Sequence, residues 1–232
     1  MGIAALFDLF TPLDAIAVAC LLIAYKAIGI LVEHPVGRRR SVTLMMSEFR
    51  RNWMVELAQR ENRIFDSQII GSLRASTSFF ASTSIIAIGG VLAVAGNAET
   101  LRTVTGGLLS DDRPVEVHQL KLVTVALFLV AAFLHFVWSN RIFGYCSVVM
   151  ASVPAPGNSR AMHVAAQAGE LGIRAAYNFN RGLRAVYFAL TAATWMIGPI
   201  PLIVATLATL WTLWEREFRS HPHRILARGD MP

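Results

Sequence analysis

Apolar windows of about 20 residues, the length that crosses a bilayer core as helix, recur four times along the chain, at 13–32, 79–96, 122–138 and 185–214. A different rhythm separates the first two. Val42, Met45, Met46, Phe49, Trp53 and Leu57 recur at three- and four-residue steps, the period of an amphipathic helix. No Pro or Gly interrupts the pattern before Gly71, so it predicts helix over 41–75, continuing the second span into the cytoplasm. After the third span the helical pattern continues over 139–184, with a turn at PAPG, 154–157. The pattern predicts an all-α integral membrane bundle of four transmembrane helices with long cytoplasmic helical extensions. It forms one domain over 1–214, followed by a polar tail at 215–232.

The ends of the first and last windows carry their own signals. Thr11-Pro12-Leu13-Asp14 predicts a helix start, with Thr11 as N-cap, Pro12 in the first helical position and Asp14 near the free amides. The N-terminus has no basic region and carries Asp8 and Asp14, unlike a cleaved signal, so the first span is expected to be retained. The last window is long and holds Pro199 and Pro201 in its middle. One kinked span is expected there, since neighbouring groups in a membrane can satisfy the freed carbonyls; the alternative is a re-entrant hairpin that returns the tail to the cytoplasm.

Composition agrees with a membrane protein: 55% hydrophobic, 16% charged and a mean hydropathy of +0.51, where soluble domains carry roughly a quarter charged residues. The formal charge of +6 does not point to nucleic acid, because the arginines sit at the ends of apolar spans instead of on a separate basic domain. Eight fall between Arg38 and Arg74 and five between Arg141 and Arg184, against Arg102 and Arg113 in the short loop and four in the tail. The positive-inside bias makes the two long connections cytoplasmic and the N-terminus periplasmic in a bacterial inner membrane. The two cysteines, Cys20 and Cys146, define neither a disulfide framework nor a zinc site.

The segment ASTSFFASTS, 75–84, brings six hydroxyls to the start of the second span. Helices in lipid associate by close packing across small residues, and Ser78, Ser82, Gly89, Ala93 and Gly96 share one helical face, so this face is expected to pack, with a polar permeation lining as the alternative. On the cytoplasmic extensions Glu61 interrupts an apolar seam, and Glu170, Arg174, Asn178 and Arg181 step along another. Glu170 and Arg174 stand in the favourable order for a one-turn ion pair. A polar network is expected just below the membrane, joining Glu61, Arg63 and Asp66 to Asn140, Arg141, Asn178 and Arg181. Its role is either to fix helix register or to bind an anionic ligand or lipid head group. Lys26 is expected to snorkel, and His135 lacks a second haem ligand at equal depth. No GxSxG, HExxH, P-loop or CxxC motif occurs, and no cofactor or metal is expected.

Three stretches, RENRIFDSQIIGSLRASTSFFASTSIIAIGG at 60–90, HQLKLVTVALFLVAAFLHFVWSNRIFGYCSVVMASVP at 118–154 and NRGLRAVYFALTAATWMIGPIPL at 180–202, carry a resemblance. In them the chain resembles the membrane-protein family of domain of unknown function 599, found in bacteria and plants. The resemblance implies a four-span membrane architecture and no activity. The expected function is that of a non-enzymatic auxiliary, assembly or docking protein, partnered by the bilayer and by a larger membrane complex or copies of itself, without nucleic acid. The alternative is a small oligomeric transporter or channel.

Overall fold

The structure, a computed structural model, describes residues 10–34, 39–97, 103 and 114–227. Asp8 and the arginines at 38, 102, 113 and 228 lie outside them. Among the described residues every regular element is helical: α1 (Pro12–Glu33), α2 (Val42–Gln59), α3 (Ile64–Gly96), α4 (Val115–Ala151), α5 (Ala161–Ala193), a 3-10 turn (Thr194–Met196), α6 (Pro199–Phe218) and α7 (His221–Ala227). Three of these, α1, α3 and α4, are long and apolar enough to cross a membrane.

The start of α1 forms as its sequence predicts. Thr11 N–H and Oγ1 both donate to Asp14 Oδ2, at 3.1 and 2.7 Å, which satisfies an amide that the helix leaves unpaired. The PAPG turn is present too, with Gly157 at a φ of 86° between α4 and α5.

Two expectations are corrected. The helix expected over 41–75 is two helices, because the chain leaves helical geometry at Arg60 and Asn62 Oδ1 accepts from Ile64 N–H at 3.0 Å to cap a new start. The polar run Glu61-Asn62-Arg63 thus supplies a turn where no Pro or Gly was needed. The window expected as one kinked span at 185–214 is divided between α5 and α6. Gly198 has a φ of 154°, which favours glycine, and Pro199 opens α6 at the first helical position, where its missing N–H costs nothing. The chain then reverses: Thr191 Oγ1 lies 2.7 Å from Thr209 Oγ1, and further down Asn180 and Glu217 both bond the same residue, Thr43.

The chain divides into two compact units. The first comprises Met1–Ile30, Thr83–Ala132 and Leu183–Glu215, and the second Leu31–Ser82, Phe133–Gly182 and Arg216–Pro232. In the first, Tyr25 meets Phe128 and Phe188 edge-on, with centroids 5.3 Å away in each case. In the second, Met54, Leu57, Ile142, Phe143, Cys146 and Met150 pack against a seam of small residues, Ala161, Ala165, Ala168 and Ala175, on α5. Close approach is tightest at Gly182, where a Cβ would stand 2.6 Å from Phe136 Cε1. Small-residue packing therefore runs along α5. The face of α3 expected to do this, Ser78, Ser82, Gly89, Ala93 and Gly96, is exposed, and a Cβ at Gly89 or Gly96 would meet nothing within 4 Å. Asp66, Ile70, Thr77, Ser84 and Ala95 are the α3 positions buried within the chain.

Candidate functional site

In the second unit α3 and α4 present facing stripes. Arg63, Ser67, Gly71, Arg74, Ser78 and Ser82 follow one another at three- and four-residue steps from the start of α3, so they share a face. Val137, Arg141, Gly144, Val148 and Ala151 do the same on α4. Between the stripes lie two clefts that share Arg74. One, of about 380 Å³, reaches from Arg63 past Gly71 and Met150. The other, of about 630 Å³ and more open, holds Arg74, Arg141, Asn140, Ser78, Ser82 and Tyr145. No carboxylate lines either cleft.

The side chains there are positioned by one another. Asn140 Nδ2 donates to Ser78 Oγ at 2.7 Å while its Oδ1 accepts from Arg74 Nε at 3.4 Å. Arg141 donates to the Tyr145 hydroxyl at 2.5 Å, and its guanidinium carbon stands 5.8 Å from that ring's centroid. Arg74 leans over Gly144, with Nη2 3.9 Å from where a Cβ would be. Arg63 donates to the carbonyls of Val153 and Pro154, closing the far end of α4. Two exposed guanidinium groups, Arg74 and Arg141, thus flank one turn of α4, held by an amide and a phenol that carry no negative charge.

The seven residues expected to form one polar network, and the expected Glu170–Arg174 pair, separate into local sets. Asp66 is fully buried, and its Oδ1 accepts from Trp53 Nε1 at 2.6 Å and from Arg60 at 3.0 Å. Glu170 pairs with Arg51 on α2, at 2.8 Å, and not with Arg174, which is exposed. That hydrogen bond raises the Arg51 pKa above its ordinary value. Asn178 donates to the Arg174 carbonyl and lies 3.4 Å from His135 Nδ1. Arg181 makes a two-pronged contact with Glu33, at 2.9 and 2.5 Å. Glu61 is exposed in the turn before α3, and Asn140 and Arg141 belong to the cleft.

A third cavity, of about 230 Å³, lies between α2, α5 and the end of α6. Burial there lowers the Arg50 pKa, and Glu217 shares the lining. Its charges are of both signs, unlike those of the α3–α4 cleft.

The first unit buries Asp14, expected only as part of a helix start, together with His118 and Lys121, which sequence reasoning missed; they are 1%, 2% and 1% exposed. The Trp195 indole donates to Asp14 Oδ1 at 2.8 Å, and Lys121 Nζ stands 6.0 Å from the centre of the same indole. Lys121 sits one turn beyond Val117 in an apolar helix; that isolated position was the signal available. Arg74 was legible as a charge but not as a partner of Asn140, 66 residues away. Among the described residues no group of three or more His, Cys, Asp or Glu could hold a metal ion.

These features define a helical protein of membrane-spanning type, with a basic cleft between two of its long helices. The family model described as protein of unknown function, DUF599, matches residues 16–222, and the chain belongs to that family. No curated protein and no solved structure matches it.

Proposed function

We propose that the chain is a non-enzymatic, multi-pass protein of the bacterial inner membrane whose second unit, on the cytoplasmic side, is a docking or assembly surface. The reversal between α5 and α6 carries this reading. It brings Glu217 onto Thr43, and His223 Nε2 lies 3.1 Å from the Arg40 carbonyl. The tail arginines therefore join the side already rich in arginine, and the positive-inside bias becomes stronger than a four-span count allows. At 20 residues α6 is about 30 Å long, enough to cross. With the end of α5 it adds a returning pair to α1, α3 and α4, giving five crossings with the N-terminus outside. Exposed Phe49, Phe65 and Val148 supply apolar contact area on the second unit.

Reporter fusions test the topology. A fluorescent protein fused after residue 227 is expected to fold and fluoresce in the cytoplasm, and alkaline phosphatase fused after residue 97 to be active outside. An active phosphatase at residue 227 with no fluorescence there would restore four spans and remove the argument for a returning tail. Docking is tested by sizing the chain in mild detergent: a stoichiometric complex that dissociates on Phe49→Ser or Val148→Ser supports it, and an unaltered homo-oligomer in both variants counts against it.

A transporter is the second reading, favoured by Asp14, His118 and Lys121, since ionisable groups buried within spans often mark substrate or ion paths. It predicts that a small solute stabilises the wild type and not Lys121→Met.

A further inference from the structure

We propose that Arg74 and Arg141 together hold the phosphate of an anionic glycerophospholipid, with its acyl chains along the exposed face of α3 and α4. This rests on the reading of the chain as membrane-embedded.

The first argument is charge. Both guanidinium groups lie on the same turn of α4, one over Gly144 and the other over Tyr145, in a cleft without a carboxylate. Three other exposed arginines of the second unit have anionic partners: Arg40 pairs with Glu48, Arg51 with Glu170 and Arg60 with Asp66; Arg39, Arg160 and Arg174 are exposed outside the clefts described. Arg74 and Arg141 instead contact an amide oxygen and a phenol. Those neutral acceptors orient the two cations and leave their charge uncompensated, which suits a ligand that brings its own negative charge.

The second argument is depth. Trp138 is 50% exposed one turn before Arg141, and Tyr145 is 44% exposed one turn after it. Exposed Trp and Tyr favour the level of the head groups, so the two arginines sit where a lipid phosphate is found. From there toward the predicted span the exposed side chains are apolar: Val137 at 44% and Leu134 at 58% on α4, and Phe79 at 65% on α3. A free anion would gain nothing from that surface, whereas acyl chains would cover it. Ser78 and Ser82 add hydroxyls at the height of the glycerol esters. They also explain why so greasy a segment begins with hydroxyls: Thr77 bonds back to the Leu73 carbonyl at 2.7 Å, while Ser78 and Ser82 face the cleft.

Native mass spectrometry of the full chain in detergent, with equal amounts of phosphatidylglycerol and phosphatidylcholine, tests this. The wild type is expected to retain phosphatidylglycerol about thirtyfold better, the ratio that two guanidinium contacts to an anionic surface imply. Arg74→Gln with Arg141→Gln should bring the ratio to near one, and Arg51→Gln should leave it unchanged. A preference that survives the double variant, or that Arg51→Gln removes equally, overturns the proposal. Inorganic phosphate distinguishes a lipid site from a free-anion site: displacement of the lipid by millimolar phosphate would overturn the lipid assignment. Should the double variant misfold, a photoreactive phosphatidylglycerol on the wild type remains decisive. Crosslinks to peptides containing residues 74–82 and 137–148 support the site, and crosslinks confined elsewhere reject it. Detergent has no sidedness, so an orientation error would appear in the fusion reporters and leave these results intact.

Discussion

Each unit buries one aspartate in the first turn of a helix and gives it an indole N–H. Asp14 of α1 accepts from Trp195 at 2.8 Å, and Asp66 of α3 accepts from Trp53 at 2.6 Å. What surrounds the two carboxylates differs. In the first unit the cation near the indole, Lys121, is as buried as the aspartate. In the second the cation is Arg60, bonded at 3.0 Å and 42% exposed. A charge that can relax into water is cheap to strand, and one that cannot is expensive. The same contrast separates structure from recognition: the first unit encloses its charges, while the second leaves Arg74 and Arg141 open to a ligand.

The largest expected effect follows from that difference. Asp14→Ala removes the acceptor of the Trp195 indole and of both Thr11 donors, and leaves Lys121 buried near the gap. It should cost about 3–5 kcal/mol, the range for breaking a buried charged set by deleting one member. Asp66→Ala should cost less, about 1.5–3 kcal/mol, the range for hydrogen bonds to a charged group, because Arg60 can turn to solvent. Unfolding both variants in a graded mixture of denaturing and mild detergent, followed by helical circular dichroism, gives the order. Equal losses would abolish the distinction between the units.

Asparagine sharpens the comparison. It keeps an oxygen for the indole and removes only the charge. Asp66→Asn should recover most of what Asp66→Ala loses, since the bond from Trp53 persists. Asp14→Asn should recover less if negative charge is what Lys121 requires. Similar recovery at both positions would mean that the indole bond, and not the charge, holds each aspartate.

How much of this was readable in advance depended on range along the chain. The start of α1 was legible because Thr11 and Asp14 are three residues apart and their bond is local. The long helices were legible because lipid imposes a length on any apolar run. Contacts that link distant stretches were not: Arg181 meets Glu33 across 148 residues, and Glu170 prefers Arg51 to the Arg174 one turn away. The reversal at Gly198-Pro199 was misread because Pro inside a membrane helix and Pro at a helix start look alike in sequence; the φ of Gly198 separates them. The stripe of small residues on α3 is exposed within the chain, and the close packing seen here runs along α5. Small side chains permit close packing on any face, and only the neighbours decide that Ala161, Ala165 and Ala168 use the permission while Gly89 and Gly96 do not.

The smallest effect belongs to the exposed pair. Arg51 and Glu170 meet at 2.8 Å with more than half of each side chain in solvent. The bond raises the Arg51 pKa, so the arginine stays charged through the neutral range. Near neutral pH, Arg51→Gln should change stability by less than about 1 kcal/mol, since water already solvates both partners and two long side chains must be ordered to meet. The same detergent unfolding measures it, and raised salt should erase what difference there is. A loss as large as that of Asp66→Ala would show that α2 and α5 are held together by this pair; in that case the small-residue seam, with Gly169 Cα carrying no side chain against Met54, would not be the main source of their packing.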